Sequence, residues 1–234
     1  MRSNRLFESA IIAFGIIVLG LCIRWGINDY ANKDRKVIVK GLAEKEVEAD
    51  KVTWPVMFQE MGNDLPELYN RIAHKQQAIK AFLMENGVKA SEMETNAPKV
   101  VDMNADRYSV NQKPYRYNIT STITVTSRNV KGVRTIISRQ GELLKQGIAI
   151  VGGDYDSQIM YEYVSFQDMK PEMMQEAIAN ARTTAEQFAK NSNSKLNKIV
   201  SANQGQFSIE DRDRNTPYIK KVRVVTTVTY SLKN

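Results

Sequence analysis

Cysteine and histidine are almost missing from this sequence: its 234 residues include one of each. The one cysteine, Cys22, lies inside an apolar run, so the rest of the chain can form no disulfide and offers no thiol nucleophile. No Cys/His metal cluster can be assembled from this inventory. A Ser-His-Asp hydrolase would have to use His74, which sits in a strongly helical stretch, and no Gly-x-Ser-x-Gly elbow occurs. A glycine-rich phosphate loop is missing too. Gly152-Gly153 reads as a turn, without the glycine spacing or the Lys-Ser/Thr of such a loop. Blocks of like charge are scarce: the net charge of +7 is mixed along the chain, and the densest cluster, Asp211-Arg212-Asp213-Arg214, alternates in sign. Nucleic-acid binders concentrate Lys and Arg on one face or arm; none is visible, so no nucleic-acid partner is expected. No catalytic, cofactor-binding or metal-binding residue is assigned, and no cofactor is expected.

What is present begins with an uncharged run of fifteen residues, Ser9 to Ile23, extended by Leu6, Phe7, Trp25 and Ile27. A helix over about Leu6 to Ile27 approaches the ~20 residues needed to cross a bilayer. Arg24 can snorkel to the headgroups and Trp25 suits the interface. Lys and Arg counts on the two flanks do not decide orientation. The short basic start (Arg2, Arg5) before an apolar run does resemble a secretory signal, which leaves the N-terminus inside and the body outside. No small-x-small cleavage site follows, and Leu21 before Cys22 is too large for a lipidation box. Residues 1–35 are therefore expected to be an uncleaved signal anchor and stalk, with residues 36–234 forming the body and 113–165 a candidate subdomain within it.

Within the body, strands are expected at Val37–Ala43, at about Lys51–Met61 with Pro55 favouring an edge or bulge, and at Glu94–Val101. Asp64-Leu65-Pro66-Glu67 starts a helix by capping and early proline, and Asn86-Gly87 stops it. Its apolar stripe is Leu65, Leu68, Ile72, Ile79, Phe82 and Leu83. Asp102–Lys113 reads as a loop. Tyr115–Ser127 alternates most clearly, with Tyr115, Tyr117, Ile119, Ser121, Ile123 and Val125 on one face. Asn129 caps a second helix, Val130–Gln146, with Val133, Ile136, Ile137 and Leu144 inward. Ile148–Val151 and Gln158–Ser165 are short strands, and Ile159, Tyr161 and Tyr163 share a face. A third helix runs from Asp168 to about Lys190, through Met173, Met174, Ala177, Ile178, Ala181, Ala185 and Phe188. Ile199–Gln204 and Val222–Leu232 are the last strands, around a charged loop Ser208–Thr216. Helices alternating with hairpins argue for an α+β fold of antiparallel or mixed sheets with three packed helices, behind one N-terminal transmembrane helix.

Several stretches resemble the SIMPL family of exported bacterial proteins, over about Val37 to Leu232. Val37-x-Val39-x-Gly41-x-Ala43 and Val47-x-Ala49-Asp50-Lys51-Val52 are similar to the family's opening hairpin. Ile79-x-x-Phe82-Leu83-x-x-Asn86-Gly87-Val88 is like its helix end. Ala177 to Ala189 looks like its most recognisable element, with Asn180 and Thr184 where the family usually has Asp and Lys. The resemblance implies an α+β body exposed in the periplasm, prone to form homo-oligomers, sometimes linked to envelope or oxidative stress tolerance, and without an accepted catalytic motif to carry over. The expectation is a non-enzymatic inner-membrane protein with one span, a periplasmic body and itself as partner. The alternative is a glycan or small-ligand binding module using the Tyr115/Tyr117 and Tyr161/Tyr163 faces and the 102–113 loop. An enzyme working through a carboxylate pair is a third, weaker reading.

Overall fold

The computed structural model describes residues 2–32, 35–105, 113–153 and 155–233. In chain order the elements are α1 (Arg2–Asn32), β1 (Lys36–Glu48), β2 (Lys51–Gly62), α2 (Leu65–Glu85), β3 (Met93–Thr95), β4 (Lys99–Asp102) and β5 (Tyr117–Ser127), then α3 (Val130–Ser138), α4 (Gly141–Lys145), β6 (Ile150–Val151), β7 (Met160–Glu162), α5 (Phe166–Asn191), β8 (Lys195–Asp211) and β9 (Ile219–Lys233). The α+β reading holds. The chain divides into two compact units, one of residues 46–167 and 209–221, the other of 1–45, 168–208 and 222–234. Residues 106–112 of the expected loop and 33–34 of the expected stalk lie outside the described residues.

The first unit is built on a six-stranded sheet whose pairings are antiparallel: β2 lies between β5 on one side and the short β6 and β7 on the other. β5 is the alternating strand read from the sequence, and Ile119, Ser121, Ile123 and Val125 are buried as that period requires. Pro55 corrects one expectation. It sits in a central strand, opposite Thr124 of β5. On the other side β7 pairs with Lys51–Thr53 and β6 with Met57–Phe58, so the second ladder is interrupted around the proline. Pro98 breaks the expected 94–101 strand into β3 and β4, both paired with β5.

α2 begins where the sequence places it. The Asp64 carboxylate accepts a 2.9 Å hydrogen bond from the Glu67 amide, and Gly87 closes the helix at φ +95°. Leu68, Ile72, Ile79, Phe82 and Leu83 are buried, while Leu65, in the first turn, is exposed. The second helix differs from expectation: it splits into α3 and α4 around Arg139-Gln140. Asn129 caps α3 through a 3.0 Å bond from the Gly132 amide. The break rotates the following turn, so Leu143 is fully buried and Leu144, the expected core residue, is exposed. The body therefore has four described helices where three were expected.

In the second unit, β1, β9 and β8 form a three-stranded sheet in that order. Val222, Val224, Thr226, Val228 and Tyr230 alternate inward along β9. The α5 face that packs is narrower than expected. Met169, Met173, Ala177, Ala181, Ala185 and Ala189 are buried, whereas Ile178 and Phe188 are exposed. β1 runs on to Glu48, past its expected end at Ala43, and β8 extends to Asp211 through half of the expected charged loop. α1 is helical as read. Its described side chains, Ile11 to Ile27, are all exposed, and among the described residues no helix is long and apolar enough to cross a membrane.

Candidate functional site

A concavity of the first unit lies where the second ladder on β2 is interrupted. It is a cavity of about 860 Å³, within the ~300–1,000 Å³ usual for small-ligand sites. Trp54 and Pro55 of β2, one face of α3 (Arg134, Ile137, Ser138), β6 with Gly152-Gly153, Tyr161 of β7 and the turn carrying Arg214 and Tyr218 line it. Positions 134, 137 and 138 share a side of α3 by helical spacing. The Arg134 guanidinium carbon stands 3.2 Å above the centre of the Tyr218 ring. Tyr161 meets the same ring edge-on, with centroids 6.2 Å apart at 70°. Burial pushes the Tyr161 hydroxyl above its ordinary pKa; the Arg134 charge pulls the other way without cancelling it.

The turn that brings Arg214, Pro217 and Tyr218 to the cavity is held by one carboxylate. Asp213 accepts from the Thr216 hydroxyl, from Arg212 at 3.1 Å, and from the amides of Asn215 and Thr216 at 2.8 Å each. The Thr216 hydrogen bond first, then Arg212, lowers its pKa to about 2. Several arginines elsewhere are paired with carboxylates: Arg71 with Glu60, Arg116 with Asp102, Arg139 with Glu142, Arg182 with Glu186, Arg223 with Glu44. Arg134 and Arg214 have no such partner among the described residues, and the described cavity lining includes no Asp or Glu.

The tyrosine faces do not form one site. Tyr161 stands opposite Val52 on β2, whereas Tyr117 stands opposite Gly62, ten residues along the same strand, or about 33 Å at ~3.3 Å per residue. Tyr161 lines the cavity; Tyr117 carries Arg116 4.9 Å above its ring, beside the Arg116–Asp102 pair. Arg134 and Arg214 are the residues that sequence reading missed. Only the i, i+3 and i+4 spacing of Arg134 with Ile137 and Ser138 hinted at a shared wall; nothing local marks Arg214. His74 is exposed on α2, and among the described residues no group of three His, Cys, Asp or Glu is placed to hold a metal ion.

A second exposed feature is β8, an outer strand of its sheet. Residues 197–204 are exposed on both faces, Ile199 and Val200 among them, and no charge occurs from Ile199 to Ile209. At Gly205 an added Cβ would lie 2.0 Å from the Val225 carbonyl oxygen, so the glycine lets β8 approach β9.

A family model, SIMPL, described as a protein of unknown function (DUF541), matches residues 37–230. The chain belongs to the SIMPL family. No curated protein matches it. The stretches that carry the SIMPL resemblance prove to be packing and joining devices. Gly41 of β1 lies against α5: an added Cβ would fall 1.8 Å from the Ala177 carbonyl oxygen. Asn180 donates to the Leu42 carbonyl at 2.8 Å. Asp50 accepts from the Val164 and Ser165 amides at 2.7 and 2.8 Å, fixing the exit of β7. Burial raises the Asp50 pKa, but the Ser165 and Val164 hydrogen bonds and nearby Arg128 outweigh it and leave the carboxyl below its ordinary value.

Proposed function

We propose that this SIMPL protein is a non-enzymatic, membrane-tethered protein of the bacterial envelope, with α1 in the inner membrane, the body in the periplasm, and copies of itself as partner. The observation that carries self-association is β8. Outer strands are ordinarily protected by lysine, proline, bulges or shortness. β8 is seventeen residues long and, over eleven of them, has neither charge nor proline. A second copy laid along it would satisfy the open ladder. Tethering is supported by the uncharged run from Ser9 to Ile23 and by the exposed apolar side chains around α1. The full chain in detergent, with the micelle mass subtracted, is expected to scatter as a multiple of 26.6 kDa, and Ala202→Lys with Gln204→Pro to reduce it to one chain. A strict monomer for the unaltered chain at high concentration overturns self-association. Release of the chain from membranes by alkaline carbonate overturns tethering.

The cavity supports a second reading, small-ligand binding by the body. It is carried by a concave, partly aromatic wall holding two arginines without carboxylate partners among the described residues.

A further inference from the structure

We propose that the cavity beside Pro55 is a site for a small planar organic anion, an aromatic carboxylate, held by Arg134 and Arg214 and packed against Tyr161 and Tyr218. This inference rests on the small-ligand reading above and names the class of ligand.

Three observations converge on that chemistry. The first is charge. The two charged side chains of the described lining are both arginines, and neither meets a carboxylate among the described residues. A guanidinium presents a planar fork of donors that matches a carboxylate in bidentate fashion. In this protein several other arginines have already found such a partner. The second is the aromatic wall. Tyr218 is sandwiched by a guanidinium on its face and a tyrosine at its edge, which holds the ring in one orientation. Rings fixed in this way are a surface for a flat guest. The third is space. At Gly152 and Gly153 an added Cβ would meet nothing within 4 Å, so the backbone there faces open volume. Gly152, unlike Gly153, does not have a positive φ, so a side chain can be placed there without backbone strain.

The chain has two tryptophans, Trp25 in α1 and Trp54 in the cavity wall. In a Trp25→Phe background, Trp54 alone reports on the site. The full chain is placed in nanodiscs of zwitterionic lipid and titrated with 2-naphthoate, its neutral counterpart 2-naphthamide, and inorganic phosphate, with empty nanodiscs as blanks. Naphthoate is expected to quench Trp54 saturably and to bind at least tenfold more tightly than naphthamide. Arg134→Gln is expected to remove that preference and Arg134→Lys to keep part of it. Gly152→Leu, which fills the space without touching charge, is expected to abolish quenching by both naphthalene probes. If naphthamide binds as tightly as naphthoate, or Arg134→Gln leaves the preference intact, the anionic assignment is overturned while small-ligand binding stands. If phosphate binds as tightly as naphthoate, the aromatic half is overturned. If no probe quenches Trp54 saturably and circular dichroism shows a folded chain, the small-ligand reading fails as well.

Discussion

Gly41→Ala is the substitution on which ordinary expectation and this structure disagree most sharply. Gly41 sits in β1 without a positive φ. Replacing such a glycine by alanine usually stabilises by ~0.4–1 kcal/mol, because the unfolded chain loses freedom. Here the new Cβ would fall 1.8 Å from the Ala177 carbonyl oxygen, 2.7 Å from the Ala181 nitrogen and 2.8 Å from the Ala181 Cβ. The two nearest obstacles are backbone atoms of α5, which cannot rotate aside. Overpacking a tight interior costs ~1–3 kcal/mol and occasionally more, and with backbone on both sides the upper end applies. The net expectation is a loss of ~2–3 kcal/mol after the entropic gain, or ~4–12 °C in Tm for a chain of this size. Thermal unfolding followed by circular dichroism measures it. Ala181→Gly should not rescue the variant, since the closest atom belongs to Ala177. Gly152→Ala, with open space ahead of it, should leave the Tm within about 2 °C of the parent, as surface changes do. A Gly41→Ala protein as stable as the parent, or one restored by Ala181→Gly, would refute the backbone-contact argument.

Thr226 is buried in β9 with a hydroxyl oxygen that has no hydrogen-bond partner among the described residues; Thr226→Val removes it at equal volume and should stabilise by about 1 kcal/mol, and a denaturation midpoint unchanged or lowered would count against the assignment. Asp64→Ala deletes the cap of α2 and should cost about 1 kcal/mol, visible as faster amide exchange confined to the first turn. Asp213, with its pKa lowered to about 2, contributes stability that is present above the unfolded carboxyl pKa near 4 and is lost as pH falls through about 2. NMR titration should show the Asn215 and Thr216 amides moving with a midpoint near 2, and a midpoint near 4 would mean the turn is not held as described. Asp213→Asn should loosen the turn at neutral pH and weaken any ligand response that depends on Arg214.

Much of the fold was legible where residues repeat with a period. β5 and β9 alternate because one face of each is buried, and α2 announces itself by cap, stripe and glycine stop. The failures have physical causes as well. β8 is exposed on both faces over 197–204, so it has no apolar period to read. Glu44 to Glu48 looks like a solvated turn because its charges hide a strand that continues outward. In 130–146 the two adjacent leucines, Leu143 and Leu144, fit a single helix equally well, and only the break at Arg139-Gln140 decides between them. The candidate site was nearly illegible. Its wall is gathered from positions 54 to 218, and a lone arginine in a charged turn looks the same whether it faces a cavity or water. Tyr161 was visible through alternation, but the tyrosine faces it was grouped with lie far apart along β2.

The placing of β1 beside β9 has a temporal consequence. The two strands that meet in the three-stranded sheet begin at Lys36 and Ile219. Closing so long a span is entropically costly and slow. As the polypeptide is synthesised, the segments that fill the six-stranded sheet are all available by Glu162, whereas β1 must wait until residues 219–233 have been made. Until then Val37 and Val39 have no strand to lie against. The nascent chain thus carries an early, unmatched ribbon until the fifteen residues of β9 emerge and complete the layer.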